Sequence, residues 1–187
     1  MPIITEYSIV GYKNSSEPIL NCNESCPCPE CKKGILQIRS HVRRHIRKEG
    51  TGEKEWFHIP VGLCDNEDCG AMRRLLPDFM VPNKHYEKEA IQDVLDEVIT
   101  EESPVDYPSI QTMRRWIAWL AANAGRIEGL FRSVGYRILC FTEELLFSTG
   151  SLLAHLKHDT DEWFGITIRF IYNSGYRLMP QWADQPM

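Results

Sequence analysis

No stretch of the 187 residues approaches 18 consecutive apolar positions, so the chain reads as having no membrane span. The first residues, MPIITEYSIVGYK, lack the basic start and long apolar block of a secretory signal. A reducing cytosol is therefore the expected setting, where clustered cysteines hold metal or do redox work more often than they form disulfides. The cysteines number seven, and an odd count further weakens a purely disulfide scheme. Positive charge is not in excess either: a formal net charge of −5 argues against a uniformly cationic nucleic-acid coat. The chain has no internal repeat and no low-complexity tract. What remains is ordinary soluble composition, 43% hydrophobic and 25% charged, in a chain long enough for one real core or a small module on a modest domain.

The charge is unevenly placed. From Lys32 to Trp56 there are eight Lys and Arg against three Glu, whereas from Lys84 to Glu102 there are two Lys against seven acids. A partner that meets one face responds to local sign rather than to the total.

Apolar spacing predicts the elements. Residues 3–10 read as a short strand and 13–21 as a loop. Leu36, Ile38, Val42 and Ile46 alternate with Arg39, His41, Arg43, His45 and Arg47, a period of two with one apolar and one basic face. The turn-like EGTGE of 49–53 and the alternation of Phe57, Ile59, Val61 and Leu63 complete a β-hairpin; the four-residue spacing of Ile38, Val42 and Ile46 leaves a helix as the alternative. Helical spacing follows over 86–99 (Ile91, Val94, Leu95, Val98). The two prolines of 102–108 exclude interior helix there. Ser109 is a suitable N-cap for a helix bearing Ile110, Met113, Trp116, Ile117 and Leu120. A further helix carries Ile127, Leu130, Phe131, Val134 and Ile138 and extends toward Leu146, with Gly125, Gly129 and Gly135 against its continuity. Asp159 and Glu162 read as the capping residues of a last helix with Trp163, Ile166, Phe170 and Ile171 on its face. The expected architecture is α+β, a small β-hairpin ribbon followed by a mainly helical part with a helix-turn-helix-like pair. The divisions fall at 1–82, 83–123 and 124–187.

The cysteines carry the clearest chemistry. Cys28-x2-Cys31 followed by Gly34 is a tight metal knuckle, and Cys64-x4-Cys69 followed by Gly70 is a looser one. Two knuckles bridged by a hairpin describe a zinc ribbon, in which four thiolates close a tetrahedron around one structural Zn2+. Four thiolates leave no open position for a catalytic water, and no His-x-Glu pairing stands nearby. Cys26 is the rival first ligand, because Cys26-x4-Cys31 mirrors the second knuckle; with Cys28 as the ligand, Cys22 and Cys26 are spare thiols. A redox Cys-x-x-Cys would need a thioredoxin-like βαβ setting, which is missing. His41 and His45 are alternative ligands, and Cys140, between Leu139 and Phe141, reads as a core residue.

Two features suit DNA. Arg39, Arg43 and Arg47 recur along one strand face at a spacing able to follow a phosphate backbone, or they line a solvated outer face. Ser109, Gln111, Thr112, Arg114 and Arg115 form the exposed set of a helix whose opposite stripe docks, as in the second helix of a helix-turn-helix, or they are the outside of a plain amphipathic helix.

The ordered segments CPCPEC (26–31), LCDNEDCG (63–70), LPDFMVPNKHY (76–86) and PSIQTMRRW (108–116) resemble a bacterial family of short proteins that combine a zinc ribbon with a helix-turn-helix. That family is itself similar to the N-terminal DNA-binding regions of insertion-sequence transposases. The resemblance covers about residues 22–120, and the family's second knuckle is usually Cys-x2-Cys where this chain has Cys64-x4-Cys69. It implies a cytoplasmic, zinc-binding partner of double-stranded DNA, an accessory or remnant of a transposition system, self-associating or bound to another protein of that system. Transposition itself needs three carboxylates on a ribonuclease-H-like core with two metal ions. The residues after Leu120 are too few for that core, and no complete catalytic constellation is present, so the expectation is not an enzyme. The alternative is a zinc-stabilised adaptor that docks a partner on C-terminal aromatics such as Phe131, Tyr136, Phe147, Trp163, Phe170 and Trp182.

Overall fold

Strands β1 (Ile3–Ile4), β2 (Tyr7–Lys13), β3 (Glu17–Cys22), β4 (Leu36–Arg47), β5 (Lys54–Cys64), β6 (Met72–Arg74) and β7 (Leu76–Pro77) precede five helices among the described residues. The antiparallel pair of β4 and β5 is the longest strand pairing and organises the sheet. Gly50 and Gly52 close its turn with φ of 74° and 67°, a region that L side chains avoid. The computed structural model describes residues 1–14, 16–48, 50–104, 108–135, 139 and 141–179. Glu49 of the turn, positions 105–107 of the proline-bearing link, and Tyr136, Ile138, Cys140 and Trp182 lie outside the described residues.

The architecture is α+β. Five strands form one sheet in the order β2-β3-β5-β4, with β6 paired to the C-terminal half of β5, while β1 and β7 make a separate parallel pair. The loop expected over 13–21 is corrected, because Glu17–Cys22 is a strand. Its pairings are non-local: β3 runs antiparallel to β2 and parallel to β5 at Ile19 and His58, and Glu17 is bound by Arg43 and His58 from strands far along the chain. Local polarity cannot report such partners.

The hairpin register also redistributes the expected apolar face. A bulge between Ile38 and Ser40 places Arg39 as an extra residue, so alternation before and after it serves opposite faces of the sheet. Leu36 and Ile38 pack with Ile4, Cys26, Cys28, Cys64 and Leu75 in a small cluster around the cysteines. Val42 and Ile46 pack with Phe57, Ile59 and the helices in the main core.

Helix α1 (Lys88–Leu95) is shorter than the predicted 86–99 and buries Ala90, Ile91, Val94 and Leu95. Two predicted helices merge into one, α2 (Ile110–Ser133), whose buried stripe is Met113, Trp116, Trp119, Asn123, Ile127 and Phe131. A continuous stripe at three- and four-residue spacing packs well enough to outweigh Gly125 and Gly129, which sit on the open side at about 1 kcal/mol each relative to Ala. Ile110 and Ile117, expected on the docking face, are 45% and 51% exposed, and Trp119 takes their place. Asn123 is buried yet satisfied: its carboxamide accepts from Met179 N (2.8 Å) and donates to Trp119 O (2.9 Å).

Helices α3 (Glu143–Phe147), α4 (Leu152–Asp159) and α5 (Trp163–Asn173) complete the fold. The predicted Asp159–Glu162 cap is corrected, because Asp159 ends α4 and the Glu162 side chain makes no capping bond. Thr160 Oγ1 instead accepts from Glu162 N at 3.2 Å. Trp163, Phe164, Ile168 and Ile171 of α5 enter the same core as Ile3, Leu20 and Ile59 of the strands, and Asn173 clasps the Ile3 backbone through N (2.7 Å) and O (3.0 Å).

Candidate metal centre

The hairpin carries both knuckles at its open end. Cys28 and Cys31 precede β4, Cys64 ends β5, and Cys69 lies between β5 and β6. The first knuckle is closed by Cys28 N to Gly34 O (2.8 Å) and Lys32 N to Cys28 O (2.9 Å), with Lys32 in the left-handed region at φ 58°. The second is a turn on Asn66, whose carbonyl accepts from Cys69 N (2.9 Å) and Gly70 N (3.3 Å) and whose side chain accepts from Asp68 N (3.2 Å). That turn takes up the two extra residues of Cys64-x4-Cys69. Asp65 ties the loops together: its N donates to Ile35 O (3.0 Å) and its carboxylate accepts from Ile35 N (2.7 Å).

These loops gather the sulfurs of Cys28, Cys31, Cys64 and Cys69 within 4.8 Å of one another, close enough to hold a metal ion. Cys28 and Cys69 are 3.8 Å apart, and Cys31 and Cys64 are 3.6 Å apart. Thiolates about 2.3 Å from a central zinc in a tetrahedron stand about 3.8 Å from each other, so the donor set and its spacing fit a four-thiolate ion. Cys28 and Cys64 are buried, and Cys31 and Cys69 are half-buried. The thiols are electrostatically unequal. The Gly34 and Lys33 amides pull Cys31 down to about 6, whereas burial pushes Cys64 up to about 12. A metal charge would resolve that inequality by holding all four as thiolates. An ion held by all four sulfurs in a tetrahedron would have no position left for substrate.

Cys26 is not part of the quartet. Its sulfur lies 3.3 Å from that of Cys22, and Cys22 also reaches Glu24 O at 3.2 Å. Neither histidine considered as a ligand joins the quartet. His41 Nε2 is 2.9 Å from Leu20 O, and His45 lies between the rings of Trp56 and His85.

The basic row of β4 is mostly engaged within the protein. Arg43 holds Glu17 through Nε (2.9 Å) and Nη2 (2.6 Å), and its guanidinium covers Trp56 at 3.6 Å from the ring centre. Arg47 Nη1 donates to Gly52 O at 3.2 Å. Arg39 is exposed and has no polar partner among the described residues. On α2, Ser109, Gln111, Arg114 and Arg115 are exposed and Thr112 is half-buried. Ser109 and Thr112 hydroxyls are 3.0 Å apart, and Arg114 forms two 2.6 Å bonds to Glu101. Arg115 has no polar partner among the described residues. Helices α1 and α2 pack together, but the link between them is residues 96–109, far longer than the three or four residues of a helix-turn-helix turn. Of the C-terminal aromatics, Phe131, Trp163 and Phe170 are core residues, and Phe147 is 86% exposed.

Glu17, whose partners come from other strands, and Arg73 and Arg74 beside the second knuckle carry no local mark of the contacts they make. The basic doublet was a visible signal, but its surroundings were not. No helix among the described residues is long and apolar enough to cross a membrane. No curated protein and no solved structure matches the chain. Residues 28–116, from the first thiol of the metal centre to Trp116 of α2, match the family model of a domain of unknown function (DUF6431), which assigns no activity.

Proposed function

We propose that the four thiolates bind one zinc ion as a structural element and that the protein so stabilised binds double-stranded DNA. The observation that carries the first half is the gathering of four sulfurs within 4.8 Å of one another, with Cys28–Cys69 at 3.8 Å and Cys31–Cys64 at 3.6 Å. It favours a scaffold over a catalyst, and no nuclease activity of its own is assigned to the chain. The second half is supported by the start of α2, where Gln111, Arg114 and Arg115 stand exposed while Met113, Trp116 and Trp119 are anchored in the core. Side chains of this kind on an anchored helix suit phosphate and base-edge contacts. The resemblance to transposase DNA-binding regions makes an accessory role in a transposition system the fitting context, alone or beside another protein of that system.

The test is binding of zinc-loaded protein to duplex DNA across a salt series, followed by selection from random oligonucleotides. We expect affinity to fall linearly with log salt and Arg115→Ala to weaken it and lower the salt slope by about one. Absence of binding to any duplex at low salt rejects the reading.

A further inference from the structure

A concavity of about 290 Å³ opens where β6, the turn after Pro82, the end of α5 and the following segment meet, and Arg73, Arg74, Asn83, Tyr172 and Arg177 line it. It lies at the low end of small-molecule pockets, which run from about 300 Å³ upward. Its charge is one-sided. Glu30 is bound by Arg73, with Nε at 3.0 Å, and lies 3.7 Å from Arg177. Met1 also lines the concavity, and its α-amino group is pulled down to about 6 by burial and then by Arg177 and Arg73. Near neutral pH one carboxylate therefore faces three guanidiniums and leaves an excess of two positive charges. The Arg74 side chain has no ion pair or hydrogen bond among the described residues, while its backbone pairs with Val61 of β5.

The turn that brings Asn83 to the concavity is anchored from β4. Arg44, which feels the charge of Arg74, donates through Nη2 to Val81 O and Lys84 O, each at 2.8 Å. These bonds hold the turn that carries Asn83, which adopts φ 62°. Arg44 Nε is buried with no hydrogen-bond partner, and the Arg44 guanidinium is pressed down to about 10 by burial and by the charge of Arg74. The fold thus gathers guanidiniums at one place without a counter-charge sufficient to neutralise them.

We propose that this concavity binds a phosphate group, with Arg74 and Arg177 as its charged donors and Asn83 as a neutral one. Phosphate is favoured over a carboxylate because it carries up to two negative charges, matching the excess. Its several oxygens also accept from more than one guanidinium fork. The chemistry is shared by free inorganic phosphate and by a backbone phosphate of DNA. The site stands on its own geometry, and only its use by DNA rests on the proposed function.

The experiment uses the full zinc-loaded chain and inorganic phosphate as the probe, titrated calorimetrically at low ionic strength in a buffer free of oxyanions. The expected result is saturable one-to-one binding that Arg74→Ala and Arg177→Ala each weaken about tenfold, the loss of one charge-assisted bond. Arg126→Ala, on the exposed side of α2, leaves it unchanged. Arg74→Lys, which keeps the charge without the fork, should retain part of the affinity, and zinc content with circular dichroism verifies folding of each variant. Duplex titrations then separate the sources. A parallel loss of DNA affinity in Arg74→Ala supports the site as a backbone-phosphate contact. DNA affinity unchanged by Arg74→Ala, or DNA binding absent altogether, with phosphate still bound, supports a free-phosphate site. Absence of saturable phosphate binding, or binding indifferent to Arg74 and Arg177, overturns the proposal even if the protein binds duplex DNA.

Discussion

Gly34 lies directly against Cys64: a Cβ at residue 34 would stand 2.6 Å from the Cys64 sulfur, 2.7 Å from Asp65 Oδ1 and 2.9 Å from Asn66 Cβ. Neither backbone can withdraw easily, because the Gly34 carbonyl accepts from Cys28 N and its N–H points at the Cys31 sulfur at 3.4 Å. Gly34→Ala is expected to push the two knuckles apart at a cost of about 1–3 kcal/mol, as overpacking does. Metal affinity should fall by tenfold or more in competition with a chromophoric chelator. Unchanged affinity would mean that the loops are not held at this distance in solution.

The quartet predicts which thiols matter. Cys28→Ser, Cys31→Ser, Cys64→Ser and Cys69→Ser should each lose stoichiometric metal and melt at lower temperature, because removing one ligand opens a site whose binding energy is coupled to folding. Cys22→Ser and Cys26→Ser should retain one metal per chain, since those sulfurs contact each other instead. Elemental analysis of the purified variants, with a thermal melt, decides it. Equal loss in Cys26→Ser and Cys28→Ser would contradict the geometry.

Glu17 sets an acid-sensitive element of stability. The Arg43 hydrogen bonds hold its carboxyl down to about 2, against burial and with help from His58. A folded-state value below the ordinary 4.5 means that the contribution is fully present above 4.5 and is lost as the pH falls toward 2. In Glu17→Gln the melting temperature should therefore change less with pH across that window than in the wild type. Parallel acid limbs would count against the pairing.

His45 and His85 stack with ring centres 4.7 Å apart and planes 9° from parallel. Both imidazoles are held below the ordinary 6.5 by burial first, then by positive neighbours: His85 for His45, and Arg44 for His85. Their neutral forms are the folded ones, so this contribution is present above 6.5 and diminishes as the pH falls through the depressed values. His85→Phe keeps a ring without a proton to gain and should reduce the loss of stability between neutral and mildly acidic pH. A chemical-denaturation series across that range measures it.

Core and surface of α2 should separate cleanly. Phe131 is fully buried against Phe141 and Phe170, and Phe131→Ala is expected to cost about 3–5 kcal/mol. Ile117, 51% exposed, should cost no more than about 0.5 kcal/mol when changed to Ala. A large effect at Ile117 would show that this side of the helix is covered in solution.

Several elements were legible because their cause is local. Alternation around a Gly-rich turn specifies the hairpin of β4 and β5, and the paired cysteine spacings specify a four-sulfur site at its open end. The apolar repeat after Ser109 specifies a helix. Other features have causes that act across the chain. The bulge at Arg39 divides one apolar series between two clusters, and nothing in the alternation itself marks it. Continuity of α2 through Gly125 and Gly129 follows from what Asn123, Ile127 and Phe131 pack against, not from helix propensity.

The four-thiol donor set, the α+β class and the hairpin follow from residues close together in the chain, because ligand chemistry and side-chain period are properties of neighbouring residues. Folding in three dimensions is what brings Cys28 rather than Cys26 into the quartet and holds Arg43 to Glu17 instead of leaving it to face solvent alone. It likewise gathers Arg73, Arg74 and Arg177 around one concavity. Each of these depends on loop closure and strand pairing that bring distant residues within a few ångströms, and spacing along the chain carries no record of that proximity.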